Sequence, residues 1–185
     1  LGGFPETSPG ELFNNYAKDY YQFDRDYRKF YYACDRVSGD ILKKLQPVIE
    51  NLYKNWFLSN LSSVWLKAIK DNLLHRWPLL WVANQKDFYR DIVEPVIKKT
   101  AKDKIFIIIS DGLRYEAGEE LKEFLDRETR GSTEIFAMQS TIPSYTKLGM
   151  ASLLPHEEIE IDEKGRVLID GKDTSGMQAR DFILK

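Results

Sequence analysis

The sequence predicts an α/β fold, with a helical N-terminal module over residues 1–101 followed by the first part of an α/β domain with a mostly parallel sheet over residues 102–185. Apolar residues recur at spacings of three and four through the N-terminal part, which indicates amphipathic helices. The run Ile105–Ile109 is wholly apolar and mostly β-branched, which is typical of a strand buried on both faces of a parallel sheet. Helical spacing then resumes at Arg114, so a strand and a helix follow each other as an α/β unit requires.

The first helix has a clear start. Ser8 is placed as the N-cap, a proline occupies the first helical position, and Glu11 completes a capping box. The apolar positions that follow form one seam along a long helix: Phe13, Tyr16, Tyr20, Phe23, Tyr27, Phe30, Cys34 and Val37. Basic residues lie among these rings, which raises the hypothesis of nucleic-acid stacking. The seam spacing favours the alternative that the rings fill a helical core.

Further helices are predicted along the N-terminal part. The seam from Leu42 to Trp56 predicts a second helix despite Pro47, which is expected to kink it or mark its first turn. A break is expected at Leu58–Asn60 and a third helix at Leu61–Leu74. Residues 85–100 again have a helical pattern.

Composition excludes several classes of protein. Hydrophobic residues make up 43% and charged residues 30%, so a packed globular chain is expected rather than a disordered one. The net charge of −2 argues against a protein that coats nucleic acid by bulk electrostatics. Cys34 is the single cysteine, which rules out an internal disulfide framework and suits a reducing cytoplasm. No apolar run approaches the roughly 20 residues that a bilayer span needs; we therefore expect a cytoplasmic protein with no membrane partner.

The predicted strand ends in a carboxylate that is suited to metal chemistry. Asp111 would lie at the carboxyl end of the strand, the edge where open α/β sheets bind ligands. A carboxylate oxygen is a good ligand for a divalent cation. From this residue alone, a helix N-cap role is the favoured alternative.

A second predicted strand, Thr133–Gln139, ends in hydroxyl groups. Thr141, Ser144 and Thr146 surround a proline and precede a helical run. A helix start favours anions, so each hydroxyl is a candidate nucleophile for phosphoryl transfer. Each is also a candidate N-cap, and Thr146 suits that role best.

Long ungapped motifs resemble the PglZ domain, a member of the alkaline-phosphatase superfamily found in BREX-type bacterial phage-defence systems. The motifs are Ile107–Glu116, Pro143–His156 and Val167–Lys172, and the resemblance covers about the last 80 residues, the size of a partial domain. It implies that Asp111 is a ligand of a two-metal centre, commonly zinc, and that Thr141 is both the nucleophile and a metal ligand.

The resemblance implies a metal-dependent phosphoryl-transfer hydrolase of phosphatase or phosphodiesterase type, acting with other defence-system proteins. Its substrate class is a phosphoester, a nucleotide or a nucleic acid. A scaffold or interaction component of the defence complex, without catalysis, is the alternative. A haloacid-dehalogenase-like phosphatase is excluded because Leu113 stands where that class needs a second Asp.

Other polar residues near these motifs have weaker assignments. Arg114 is predicted to bind a substrate phosphate oxygen from the first turn of its helix, with an exposed surface arginine as the alternative. Lys147 has the same ambiguity. His156 is interpreted as a loop histidine and His75 as structural, because neither has a partner at metal-ligand spacing.

The end of the sequence predicts a hairpin, with strands around Ile159–Ile161 and Val167–Ile169 and a turn at Gly165. The sequence after Thr141 offers one histidine and no second strand-terminal Asp or His cluster. We therefore expect that the remaining metal ligands lie beyond residue 185 and that this chain alone is inactive.

Overall fold

The structure is a computed structural model that describes residues 2–36, 40–70, 77–99 and 104–185. It has an α/β fold with a helical N-terminal part, as predicted. Contacts divide the chain into two compact units. One contains Leu1–Trp81 and Leu113–Ala137, and the other contains Val82–Gly112 and Met138–Lys185.

The first unit is helical. Its elements are α1 (Pro9–Asn15), a π-helical turn (Tyr16–Tyr20), α2 (Tyr21–Arg36), α3 (Asp40–Asn51), a second π-helical segment (Leu52–Leu58), α4 (Ser59–Ile69) and, later in the chain, α6 (Tyr115–Glu128). The capping box is confirmed, because the Ser8 hydroxyl accepts from the Glu11 N–H at 3.3 Å while the Ser8 N–H donates to the Glu11 carboxylate at 3.0 Å.

The aromatic seam packs as core, as predicted. The Tyr27 and Tyr53 rings stack with centroids 3.7 Å apart, and the Phe23 and Phe57 rings stack at 4.7 Å. Phe57 is 1% exposed. Stacked pairs of this kind add to the free energy gained from apolar burial. The rings therefore join α2 to the second π-helical segment.

The expected break at Leu58–Asn60 is wrong. The π-helical segment ends at Leu58 and α4 begins at Ser59, with helical backbone at the junction. A wider π turn takes the extra residue without ending the helix, so sequence periodicity shifts while the helix continues. The end of the predicted helix Leu61–Leu74, the break after Arg36 and the boundary at residues 101–103 all lie outside the described residues.

The second unit contains two small sheets. Strands β1 (Ala83–Asn84) and β2 (Met138–Gln139) pair in parallel. Strands β3 (Ile159–Ile161), β4 (Val167–Ile169) and β5 (Lys172–Asp173) form an antiparallel sheet in that order. A 3₁₀ turn (Gln85–Asp87), a π-helical turn (Tyr89–Val93), α5 (Glu94–Lys99), α7 (Thr146–Ser152) and α8 (Met177–Leu184) complete the unit.

The predicted hairpin is confirmed. Strands β3 and β4 are antiparallel, and the turn between them contains Gly165 at φ +72°, a conformation that favours glycine. Beneath it, α7 packs on β4. The apolar core at this contact consists of Leu148, Ala151, Leu154, Val167 and Ile169.

The prediction of a buried strand at Ile105–Ile109 is wrong. These residues form no strand in the described structure, and Phe106 and Ile108 are 82% and 91% exposed. An apolar run becomes a buried parallel strand only when neighbouring strands hydrogen-bond to it and helices cover it. The parallel pairing that does form joins β1 to β2, and the predicted strand Thr133–Gln139 is reduced to Met138–Gln139.

Candidate active site at the ends of the parallel strands

The candidate site lies just beyond the two parallel strands. The register pairs Asn84 with Gln139 at the last position of each strand. Gln85 follows β1 directly, and Thr141 stands two residues after β2. Both side chains therefore leave the sheet at its carboxyl edge, where α/β folds place ligand sites.

Thr141 has a buried hydroxyl. Its Oγ1 is shielded from solvent and has no hydrogen-bond partner among the described residues. Its backbone N–H donates to Oε1 of Gln85 at 3.4 Å. A buried hydroxyl without a partner costs free energy, so such an atom indicates a missing ligand or a catalytic role.

Asp111 is joined to a different hydroxyl. The Thr146 hydroxyl donates to Oδ2 of Asp111 at 3.2 Å, in an exposed position. The structure thus brings Asp111 together with Thr146, which sequence reasoning ranked as a rival to Thr141. Gly112, at φ +73°, makes the turn directly after Asp111.

Thr146 does not have the predicted N-cap role. The N-cap of α7 is Tyr145, in an extended conformation and without a side-chain cap, and Thr146 is the first helical residue. A residue inside the first turn directs its side chain away from the free N–H groups, so its hydroxyl is available to Asp111. Ser144 is exposed and Lys147 is also exposed.

The donor atoms fit part of a divalent-metal site. Asp111 supplies a carboxylate and Thr141 a buried hydroxyl oxygen, both of which are ligands for hard or borderline cations. A closed zinc site takes four donors, so these two residues make an incomplete ligand set. Within residues 2–36, 40–70, 77–99 and 104–185, no group of three or more His, Cys, Asp or Glu side chains is arranged to hold a metal.

Arg114 belongs to the helical unit, where it binds two buried carboxylates. Its Nη2 lies 2.9 Å from Oδ1 of Asp24, and its Nε lies 2.9 Å from Oε1 of Glu116. Asp24 and Glu116 are 5% and 1% exposed, whereas the Arg114 side chain is 59% exposed. Two N–H directions are thus used for structure, and substrate binding through the remaining donors stays a prediction.

Two tyrosines complete the environment of Asp24. The hydroxyls of Tyr16 and Tyr53 each donate to its carboxylate at 2.5 Å. Burial, together with the hydrogen bond to Asp24, raises the pKa of Tyr53 to about 12. Both phenols therefore remain neutral donors at physiological pH, and the network ties α6 to the N-terminal helices.

His156 lines a separate cleft of the second unit. The cleft has a volume of about 550 Å³, and Lys86, Arg90, Asp170 and Lys172 also line it. The His156 Nδ1 lies 2.6 Å from the Leu154 carbonyl, so this nitrogen carries the proton and donates. This contact agrees with a loop histidine. His75 lies outside the described residues.

Sequence reasoning missed Gln85 and Asp24. Gln85 follows a strand of two residues, which is too short for any periodic signal. Asp24 lies on the aromatic seam, and its only sequence signal is a carboxylate between apolar positions.

The fold and the strand-end Asp and Thr define a class of α/β protein that resembles phosphatases. A family model described as the BREX system PglZ alkaline phosphatase-like domain matches residues 88–185. This match covers more than half of the chain, and the chain belongs to that family.

Two curated relatives are similar over nearly the whole chain. One is the alkaline phosphatase-like protein PglZ of Bacillus cereus (strain H3081.97), 38% identical over 180 residues, or 97% of this chain and 21% of the relative. Another is the alkaline phosphatase-like protein BrxZ of Escherichia coli O9:H4 (strain HS), 37% identical over 191 residues, or 100% of this chain and 22% of the relative. The chain thus spans about a fifth of the length of these relatives. No solved structure matches it.

Proposed function

We propose that the protein is a metal-dependent phosphoryl-transfer hydrolase of phosphatase or phosphodiesterase type, with Thr141 as nucleophile and Asp111 as a metal ligand. The single observation that carries this proposal is the buried, unpartnered Oγ1 of Thr141 at the carboxyl edge of the parallel strands. Membership of the PglZ family supports the reaction class.

The chemistry assigned to the chain is a two-step displacement. Thr141 Oγ1 attacks phosphorus, a P–Oγ1 bond forms, the hydroxyl proton is lost and the bond to the leaving oxygen breaks. Water then hydrolyses the phosphothreonine ester and restores the hydroxyl. A bound divalent metal, for which zinc is the proposed ion and two ions the proposed number, would lower the pKa of the hydroxyl and balance charge on the leaving oxygen.

The biological setting is proposed from the relatives. Both are named as alkaline phosphatase-like proteins, and the family description places the domain in BREX systems. We propose that this protein works in cytoplasmic phage defence with other proteins of such a system, on a phosphoester, nucleotide or nucleic-acid substrate. In the part of the chain that the structure describes, no helix has the length and apolar character of a membrane span.

Metal analysis of the full-length protein tests this proposal against the scaffold alternative. About two zinc or manganese ions per chain, together with hydrolysis of bis(p-nitrophenyl) phosphate, is the expected result. A well-folded, metal-free protein without hydrolysis would support the scaffold role instead.

A further inference from the structure

Gln85 connects the candidate nucleophile to the helix that follows it. Its Oε1 accepts from the backbone N–H of Thr141 at 3.4 Å, and its Nε2 donates to the carbonyl of Gly149 at 3.1 Å. One side-chain amide thereby bridges the segment after β2 and the middle of α7.

The position of Gln85 makes this bridge well supported. It follows β1 directly, and β1 is held in register against β2, so both anchor points rest on hydrogen-bonded backbone. Gln85 also lies outside the family-matched range of residues 88–185. The side chain is half-buried, so water competes weakly for its two bonds.

Gly149 leaves just enough room for the amide. A Cβ added at Gly149 would lie 3.4 Å from Nε2 of Gln85, at the tight edge of van der Waals contact. Because glycine in a helix interior is destabilising relative to alanine, its presence in α7 agrees with the need for this close approach.

We infer that Gln85 is a positioning residue that holds the backbone of Thr141 so that its hydroxyl meets the substrate phosphorus in line. This inference rests on the proposed role of Thr141 as nucleophile. Gln85 has no assigned contact with substrate and acts through the Thr141 backbone. A displacement of about 1 Å at a reacting atom reduces turnover on the order of 100-fold, so an anchor of this kind affects the rate more than binding.

Two substitutions separate the halves of the bridge. Gln85→Met keeps the length of the side chain and removes both hydrogen bonds. Gln85→Glu keeps an acceptor for the Thr141 N–H and removes the donor to Gly149. The matched control is Gln178→Met, an exposed glutamine on α8 of the same unit.

The experiment measures kcat and KM for bis(p-nitrophenyl) phosphate, metal content, and hydrogen exchange of a peptide that spans residues 138–146, all in the full-length protein. Gln85→Met is expected to lower kcat about tenfold, leave KM and metal content within about twofold, and speed exchange in this peptide. Gln85→Glu should retain kcat within about threefold and keep most of the protection. Gln178→Met should match the wild type.

Unchanged kcat and exchange in Gln85→Met would overturn the inference, and so would equal losses in Gln85→Met and Gln85→Glu. If Gln85→Met does not fold, the Gln85→Glu result still decides, because a tenfold loss of kcat with lost protection contradicts the acceptor role. Thr141→Ala in the same assay separates the two proposals. Full activity in that variant refutes the nucleophile, and the exchange data then decide the Gln85 contact alone.

Discussion

The hydroxyl of Thr146 lies 3.2 Å from Oδ2 of Asp111, which joins the first residue of α7 to the candidate metal ligand. Partners of this kind orient a ligating carboxylate, and their loss typically costs 10- to 100-fold in metal affinity. The relationship makes Thr146 an orienting group rather than a helix cap.

Thr146→Val should therefore weaken metal binding by the full-length protein about tenfold, while Thr146→Ser should restore it. Calorimetric titration with Zn²⁺ measures both. Ser144→Ala is the matched control, because Ser144 is an exposed hydroxyl in the same turn. Equal affinities for Thr146→Val and the wild type would show that the hydrogen bond does not orient Asp111.

The two isoleucines Ile169 and Ile108 test the burial pattern. Ile169 is 1% exposed in the core between α7 and β4, whereas Ile108 is 91% exposed. In the chain of residues 1–185, Ile169→Ala should lower the free energy of unfolding by about 2–5 kcal/mol. Ile108→Ala should change it by less than about 0.5 kcal/mol. Urea unfolding measures both, and a large loss at Ile108 would restore the predicted buried strand.

The capping box gives a smaller effect on stability. Ser8→Ala removes the acceptor for the Glu11 N–H at the start of α1 and should cost about 1 kcal/mol. Ser8→Asp should keep most of the stability, because Asp is also a good N-cap. A thermal unfolding midpoint unchanged in Ser8→Ala would argue that α1 does not limit the unfolding of its unit.

Glu50 predicts a stability that depends on pH. Hydrogen bonds from Lys54, Tyr27 and Tyr31 lower the pKa of Glu50 to about 2. A carboxyl group with a depressed folded-state pKa contributes stability above its ordinary pKa, near 4.5, and loses it as the pH falls through about 2.

The unfolding midpoints of the wild type and Glu50→Gln should therefore differ most above about pH 4.5 and converge toward pH 2. Glu134→Gln, at an exposed position of the same unit, is the control. A difference that stays constant from pH 6 to pH 2 would mean that the Glu50 charge does not stabilise the fold.

Local signals in the sequence predict much of the helical part and the hairpin. The Ser8 cap, the aromatic seam and the Gly165 turn depend on residues near one another in the chain, and the structure confirms each. The pairing of β1 with β2 is different, because it joins strands of two residues that lie far apart. No periodicity exists in such short strands, so the parallel sheet could not be located at Ala83–Asn84.

The candidate site shows the same limit. Asp111 and Thr141 are recognisable because their motifs are contiguous, whereas Gln85 and Asp24 act through tertiary hydrogen bonds. The exposed run Ile105–Ile109 shows that apolar composition predicts a tendency to be buried, and burial itself requires partners.

The central claim is most directly tested by Thr141→Ala in the full-length protein, assayed with bis(p-nitrophenyl) phosphate beside the metal content of the same sample. The account predicts that hydrolysis falls at least about 1000-fold while most metal and the unfolding midpoint are retained, because the nucleophile is lost and the fold is not. Asp111→Ala should instead lose metal and hydrolysis together. Wild-type hydrolysis in Thr141→Ala, or its loss in Ser144→Ala alone, would contradict the assignment of Thr141 as the nucleophile.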